Sequence, residues 1–380
     1  MKIARVDLIP LRLPLRRVLT LPRGASRTLD EGKRLLLVRV ETEDGRAGWG
    51  EASPSRRWSA ETLESALTSL ERYLAPAVVG RDPRDLAAVH AAMDQELAPG
   101  FDQGQPIAKA AIDFACHDLV ARVQGVPVQA LLGRRDPGQI TLAYLVSAPT
   151  PEDAVRQVED GRAAGYHAFK VKVGGHAPAH DVAVARAVVA AAGGGTVWVD
   201  ANQGYDAGAA REAARGFEAL GLRVFEQPVA ATDWEGLRAL RKATGMVIAL
   251  DEGAMSLPVV EESLRQGLAT GIVVKVAKLG GLHHARQVLD LCRARGVMLL
   301  GSGLMDAPLT LAAGLHAFAA AGIEFPCDLN GPQFIAEDYL AEPLPVKDGA
   351  LAVPARPGLG WEPDAARIDR FRVPHPGGGP

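Results

Sequence analysis

Ala168-Phe169-Lys170-Val171-Lys172-Val173, Val197-Trp198-Val199-Asp200 and Val224-Phe225-Glu226 are short apolar runs that carry or end in charge, each followed by roughly a helix length of sequence. The texture continues in Val247-Ile248-Ala249-Leu250-Asp251 and Ile272-Val273-Val274-Lys275. Counted from Lys172, the charged ends Asp200, Glu226, Asp251 and Lys275 follow at intervals of 28, 26, 25 and 24 residues. Each interval is one strand plus one helix. Moving outward, Thr141 to Val146 precedes these runs, and Val297 to Leu300 and Ile323 to Phe325 follow them, giving eight candidate strands. The intervening helical patterns include Pro151 to Ala164, Ala207 to Leu220, Trp234 to Thr244, Val259 to Leu268 and Leu282 to Arg295. Most are closed by a glycine (Gly165, Gly221, Gly245, Gly296), where a helix C-terminus takes positive φ. Eight β/α units at this spacing predict a closed parallel barrel. The rival, a doubly wound open sheet, wants a G-x-G-x-x-G after its first strand, and none follows Val146.

Upstream, Leu35 to Val40, the turn Glu43-Asp44-Gly45 and Ala47 to Ala52 predict a β-hairpin. Ala60 to Tyr73 and Ile107 to Val123 carry apolar residues at helical spacing. Strands followed by helices predict an α+β domain over residues 1–125, completed by about 350–380, with the barrel at 126–349. Pro343, Pro345, Pro354, Pro357 and Pro363 argue against a helix after Glu342, so this stretch is expected to leave the barrel and pack back on the N-terminal domain. Residues 374–380 read as a disordered tail. The 380 residues carry 42 basic and 45 acidic side chains, a net charge of −3, with 48% apolar residues. That is globular composition without the basic excess that displaces phosphate counterions, so nucleic acid is not an expected partner. Apolar stretches such as Val297 to Leu300 fall far short of the ~20 residues a membrane span needs. Charged residues are scattered from Lys2 to Arg17, unlike a secretory leader. Cys116, Cys292 and Cys327 stand at no metal or redox spacing, and a cytoplasmic location is expected.

Side chains at the C-terminal ends of barrel strands face the mouth where such folds build their sites. Lys170 and Lys172 are two apart, hence on one face of their strand. Carboxylates at three successive strand ends converge, and like charges at that range cannot all stay ionised without a cation. Oxygen ligands alone argue for Mg²⁺, with Mn²⁺ as the alternative; the His and Cys ligands of a zinc or copper centre are missing from these positions. A single acid at a strand end reads equally as a helix cap or a loop ion pair, and a lysine as its partner. Three acids in succession with lysines on both flanks argue for a site. Lys170 is either an electrostatic neighbour or, as we prefer, a contact to a substrate carboxylate. The Gly174-Gly175, Gly193 to Gly195 and Gly280-Gly281 pairs and runs read as turns, and His283, His284 and His316 as structural.

Lys170-Val171-Lys172, Asp200-Ala201-Asn202, Glu226-Gln227-Pro228, Asp251-Glu252 and Lys275-Val276-Ala277-Lys278-Leu279-Gly280-Gly281 resemble, in order and spacing, the motif series of the enolase superfamily, in its muconate-lactonizing-enzyme subgroup. Ala110-Ala111-Ile112-Asp113, Asp118-Leu119 and Leu131-Leu132-Gly133 resemble the segments preceding that family's barrel. The resemblance implies an N-terminal α+β capping domain on a modified TIM barrel, (β/α)₇β, with one Mg²⁺ held by Asp200, Glu226 and Asp251. It also implies an acid/base pair of Lys172 and Lys275 on opposite faces of a small-molecule carboxylate substrate, and a homo-oligomer. The implied activity is isomerisation by removal of a proton α to a carboxylate through an enediolate, a Lys-plus-Mg²⁺ pattern general to this superfamily. A free lysine, with pKa ~10.4, cannot act as base at neutral pH; burial near positive charge lowers it. A racemase or epimerase of an N-substituted amino-acid derivative and a muconate-type cycloisomerase are the leading readings. A lyase (o-succinylbenzoate synthase-like or an acid-sugar dehydratase) is the alternative, and a non-catalytic metabolite-binding barrel a remote one.

Specificity in such enzymes comes from capping loops, here Leu19 to Thr28 and Ser53 to Ala60, with Arg23, Arg27, Arg56 and Arg57 as anion contacts or solvated charges. Trp58 could stack on a ligand or serve as a domain contact. Asp306 stands where muconate cycloisomerases carry Glu. Asp328 begins Asp328-Leu329-Asn330, where dipeptide epimerases typically have Asp-x-Asp, and the Asn330 departure disfavours a free dipeptide.

Overall fold

Apolar-rich runs, with Leu35 to Val38 buried in succession, make an antiparallel sheet of β1 (Ile3–Leu13), β2 (Lys33–Thr42) and β3 (Ala47–Ala52), in that order. The β2–β3 turn closes through Gly45 N–H to Thr42 O at 2.9 Å, with Gly45 at φ +79°. In this computed structural model residues 1–21, 24–25, 28–100, 103–134 and 138–375 are described; Arg23, Arg27 and 376–380 lie outside them. The long helix α1 (Pro106–Gln124) starts on a proline and stops at Gly125, at φ +67°. It lies directly on β3. A Cβ on Gly50 would sit 2.0 Å from Ala111 O, so only glycine permits this approach. The predicted helix over 60–73 begins at Leu63 and passes through a π turn at Leu70–Leu74.

Seven parallel strands follow, hydrogen-bonded in chain order: β4 (Tyr144–Val146), β5 (Ala168–Lys172), β6 (Thr196–Asp200), β7 (Val224–Glu226), β8 (Val247–Leu250), β9 (Gly271–Val274) and β10 (Met298–Gly301). The ring is closed by residues 327–328 bridging the two edges. Cys327 exchanges bonds with Thr141 O (2.8 Å) and Ala143 N (2.9 Å), while Asp328 N reaches Gly301 O at 2.9 Å and Asp328 O receives Gly303 N at 3.0 Å.

This corrects the eighth predicted strand, since Ile323 to Phe325 forms none. The preceding helix, Pro308–Ala321, ends at Gly322 (φ +67°). Gly322 N–H bonds Ala319 O and Ile323 N–H bonds Phe318 O, a Schellman closure that uses up the start of the run. Phe325 packs edge-on against Trp198. The first run also divides, because Gln139–Thr141 pairs antiparallel with Ala350–Ala352 and only Tyr144–Val146 enters the barrel sheet.

Outside the ring stand, among others, α2 (Pro178–Ala191), α3 (Leu282–Ala294) and α4 (Pro308–Ala321). The proline-rich stretch does contain a helix, α5 (Ala365–Phe371), contrary to expectation. No proline falls between Pro363 and Pro374, and Asp364 caps the helix by accepting Arg367 N–H at 2.8 Å. The chain then returns to β1, with Val373 N–H bonding Pro10 O at 3.0 Å. Among the described residues no helix is long and apolar enough to cross a membrane.

Candidate active site

One inward-facing layer of the barrel is apolar: Ala143, Ala168, Trp198, Val224, Ala249, Val273 and Leu300, one residue from each strand or its edge. Side chains alternate along a strand, so the residue two positions on faces inward again, one layer nearer the mouth. Those residues are Leu145, Lys170, Asp200, Glu226, Asp251, Lys275 and Ser302, five of the seven ionisable. A packed apolar floor therefore carries a charged storey, and Lys172 stands one layer higher, level with Asp200 in the strand register.

Lys170 Nζ lies 2.7 Å from Glu226 Oε1, 2.8 Å from Asp328 Oδ2 and 2.9 Å from Asp200 Oδ2. Lys172 Nζ donates to Asp200 Oδ2 and Asn202 Oδ1, both at 2.7 Å. Across the mouth, Asp251 receives Lys275 (2.6 Å) on Oδ2 and Lys278 (2.7 Å) on Oδ1. Each lysine thus has a carboxylate partner.

Burial works against charge on Lys170, but Asp200, Asp328 and Glu226 outweigh it and hold the ammonium well above the usual lysine range. Burial likewise opposes charge on Lys275, and Asp251 outweighs it, so this side chain is also raised. Burial lowers Lys278. On the acid side, burial followed by the Asp200 charge pushes Glu226 up to about 8, and burial followed by Asp251 pushes Glu252 up to about 7. Asp251 resists burial because Lys275 and Lys278 hold it below the carboxylate range. The cluster thus sets five carboxyl groups, Asp200, Glu226, Asp251, Glu252 and Asp328, against four lysines, Lys170, Lys172, Lys275 and Lys278, and the protons held on Glu226 and Glu252 relieve the crowding of like charge. Glu252 Oε2 is buried without a hydrogen-bond partner among the described residues. Surplus carboxylate oxygens in a buried cluster fit a hard divalent cation.

Lys172, Lys275, Asp328 and Asn330 line one small cavity together with Leu19, Ser55, Trp58 and the loop from Gly303 to Met305. Trp58, Lys275 and Leu304 also border a larger cavity of about 360 Å³ that includes Asp251, Glu252, Met255 and Lys278. Trp58 roofs the pair, its ring centroid 5.5 Å from Lys275 Nζ. The loop bearing it is pinned where Glu61 accepts the N–H groups of Ile107 and Ala108, at 2.7 and 2.9 Å, capping α1.

Residues 153–367 match the family described as enolase C-terminal domain-like, and residues 13–133 match the mandelate racemase/muconate lactonizing enzyme N-terminal domain. The chain belongs to the enolase superfamily. Its similarity to a chloromuconate cycloisomerase of Cupriavidus necator is 30% identity, covering 98% of this chain and 99% of that one. It is 34% identical to an L-Lys-D/L-Arg epimerase of Methylococcus capsulatus, over 95% and 99% of the two chains. The solved N-succinyl Arg/Lys racemase of Bacillus cereus superposes with a TM-score of 0.91 at 27% identity, covering 98% of both chains. These named relatives are all isomerases.

In this superfamily member, Asp306 departs from its expected position. It does not line the lysine cavity; it is buried beside Lys33 and Glu51, where it accepts Leu304 N–H at 3.0 Å, and burial pushes it up to about 6. The Gly303–Asp306 loop folds its carboxylate back on its own backbone, against Lys33 and Glu51 from the N-terminal sheet. Arg56 is exposed and pairs with Glu31, and Arg57 is exposed, so neither lines the cavity. His283 stacks on His90 and His284 meets it edge-on at the junction of α1 and α3, and His316 is buried in α4.

Sequence reading gave no role to Lys278, Asn202 or Gln227. Lys278 had a usable signal, because the Lys275-to-Lys278 turn returns it to the same side, as Leu279 N–H to Lys275 O (3.3 Å) records. Asn202 lies two residues past Asp200, on the same face. Gln227 holds the next strand end by accepting the N–H groups of Asp251 (3.0 Å) and Gly253 (2.9 Å).

Proposed function

We propose that this chain is a cytoplasmic Mg²⁺-dependent isomerase that moves a proton at the carbon α to a substrate carboxylate, acting on an N-substituted amino-acid derivative as racemase or epimerase. The observation that carries this is the placing of Lys172 and Lys275. They belong to the second and sixth members of an eight-membered ring, four places apart and hence on opposite sides, yet both line one cavity. A carbon held between them can lose a proton to one and regain it from the other. Lys275, raised by Asp251, enters as the ammonium and proton donor; in the reverse direction the roles exchange. Lys170, deeper in the storey, holds positive charge where the substrate carboxylate would point.

Mg²⁺, held by Asp200, Glu226 and Asp251, would offset the negative charge that develops on the carboxylate as the proton leaves. Trp58, Leu304 and Met305 close the roof and limit water. Residues 1–125 act as the cap and 126–349 as the catalytic barrel. Asn330, in place of a second acid beside Asp328, supports a substrate nitrogen that is acylated or alkylated rather than a free ammonium. Likeness to chloromuconate cycloisomerases supports a second reading, a muconate-type cycloisomerase, which uses the same lysines for protonation α to a carboxylate.

Proton NMR in D₂O with Mg²⁺, on pools of N-acyl amino acids, dipeptides and unsaturated diacids, tests this. The α-proton signal of an N-acyl amino acid is expected to wash out, with a loss of about 100-fold or more in the rate for Lys172→Ala and Lys275→Ala. Exchange that is indifferent to both substitutions would remove the proposal, and turnover of diacids alone would favour the cycloisomerase.

A further inference from the structure

Beyond the barrel mouth, the loop after β5 and the first turn of α2 bring together His176, His180 and Asp181, whose ligand-type atoms all lie within 4.8 Å of one another. We propose that these three side chains form a second metal site, for a divalent transition ion of the zinc class, separate from the carboxylate centre. Asp181 and His180 are each set up for ligation by contacts of their own, and His176 stands beside them.

Asp181 is buried, and its two oxygens are used differently. Oδ2 accepts Gly174 N–H at 2.8 Å and the Tyr205 hydroxyl at 2.5 Å, which fixes the carboxylate and leaves Oδ1 facing His176 Nδ1 at 3.7 Å. That separation is too long for a hydrogen bond. Two ligands each ~2.0–2.1 Å from one tetrahedral zinc stand roughly 3.4 Å apart, so the gap suits a shared cation with a small adjustment. His180 Nε2 lies 3.0 Å from Pro149 O. A carbonyl oxygen only accepts, so Nε2 carries the hydrogen and Nδ1 keeps its lone pair. An imidazole whose outer N–H is bound to a backbone carbonyl is the usual preparation of a metal-binding histidine. The two imidazoles are neighbours, 4.5 Å between centroids and tilted by 41°.

Two nitrogens and one oxygen select zinc, nickel, cobalt or copper over Mg²⁺, which prefers oxygen and retains water. The positive end of α2 works against a cation here, and the Asp181 carboxylate offsets it. The His176 side chain is 53% exposed, giving the ion a path in and a water as fourth ligand. The site begins four residues after Lys172, and an ion there would tie the end of β5 to the start of α2.

The test uses untagged full-length protein, stripped by chelator and kept in saturating Mg²⁺, titrated with Co²⁺ as a spectroscopic probe and then with Zn²⁺. The expected result is one equivalent of Co²⁺ with an intense visible ligand-field band, displaced by Zn²⁺. The band should be lost in the His176→Ala/His180→Ala double variant, whose circular dichroism and thermal midpoint without added transition metal match the parent. Asp181 is left in place because Tyr205 and Gly174 also depend on it. Absence of the band in the parent, or its persistence in the double variant, would overturn the proposal.

Discussion

Lys170 Nζ touches three carboxylates while its side chain is 1% exposed, so its charge is shared among acids that have little access to water. Removing one partner from a buried ionic set costs ~3–5 kcal/mol, because the remaining charges are left uncompensated. Lys170→Met is therefore expected to lower unfolding free energy in urea by about that much when divalent metal is removed. Mg²⁺ should restore part of the loss, since a ligand that binds only the folded state contributes ~2.7 kcal/mol at a hundredfold excess over its dissociation constant. An unchanged urea midpoint would mean that water already compensates the acids. At this scale the sequence was readable wherever a residue's role follows from its own strand. Lys170, Asp200, Glu226, Asp251 and Lys275 are each two positions from a floor residue of the same run. Asp306 was not readable, because its partners Lys33 and Glu51 come from a different part of the chain and nothing near it in sequence announces them.

The junction of α1 and α3 shows what an element boundary demands. Asp113, from the middle of α1, accepts the N–H groups of Leu282 (2.6 Å) and His283 (3.3 Å), so one helix caps another. Its carboxylate also binds His90 at 2.9 Å and lies 3.2 Å from His117. Gly281 precedes that cap at φ +120°, and a Cβ there would meet Asp113 Cγ at 2.3 Å. Gly281→Ala is expected to cost about 2–4 kcal/mol, combining backbone strain with loss of the cap. Asp113→Asn, which keeps one accepting oxygen, should cost less; urea midpoints of the two variants decide, and the reverse order would refute the clash. Gly281 was legible as a turn, but the reason it must be glycine lies on α1. The eighth strand was misplaced for a similar reason. The first seven strands are repeated locally, whereas residues 327–328 take their bonds from Thr141, Ala143, Gly301 and Gly303.

Over the whole molecule, cap, barrel and C-terminal strap meet on shared polar groups. Glu51, at the end of β3, accepts Thr310 Oγ1 from α4 at 2.8 Å and the Tyr339 hydroxyl from the later chain. His316, deeper in α4, bonds the Gln129 side chain and lies 3.2 Å from Leu359 O. Burial pushes this imidazole down to about 4 from an ordinary value of 6.5. Below 6.5 the unfolded chain takes up a proton that the folded chain refuses, so this residue's contribution to stability is lost as pH falls from about 6.5 toward 4. Between about pH 6.5 and pH 5 the loss attributable to His316 should be ~2 kcal/mol. His316→Gln should show a correspondingly shallower fall in urea unfolding over that range, and an equal slope would show that His316 does not resist protonation.

The two-residue seam of the barrel has a further consequence, in time. Synthesis runs from the N-terminus, so Lys170 leaves the ribosome well before Asp328, its partner 158 positions later. Until that residue emerges the ring has no closing member, and the buried ammonium lacks one of its three acids. A nascent chain stopped before the seam would hold the scaffold of the reaction without its finished charge balance. Contacts this distant in sequence form slowly. On refolding, catalytic competence should consequently return with the slowest phase, after most helix signal has already recovered.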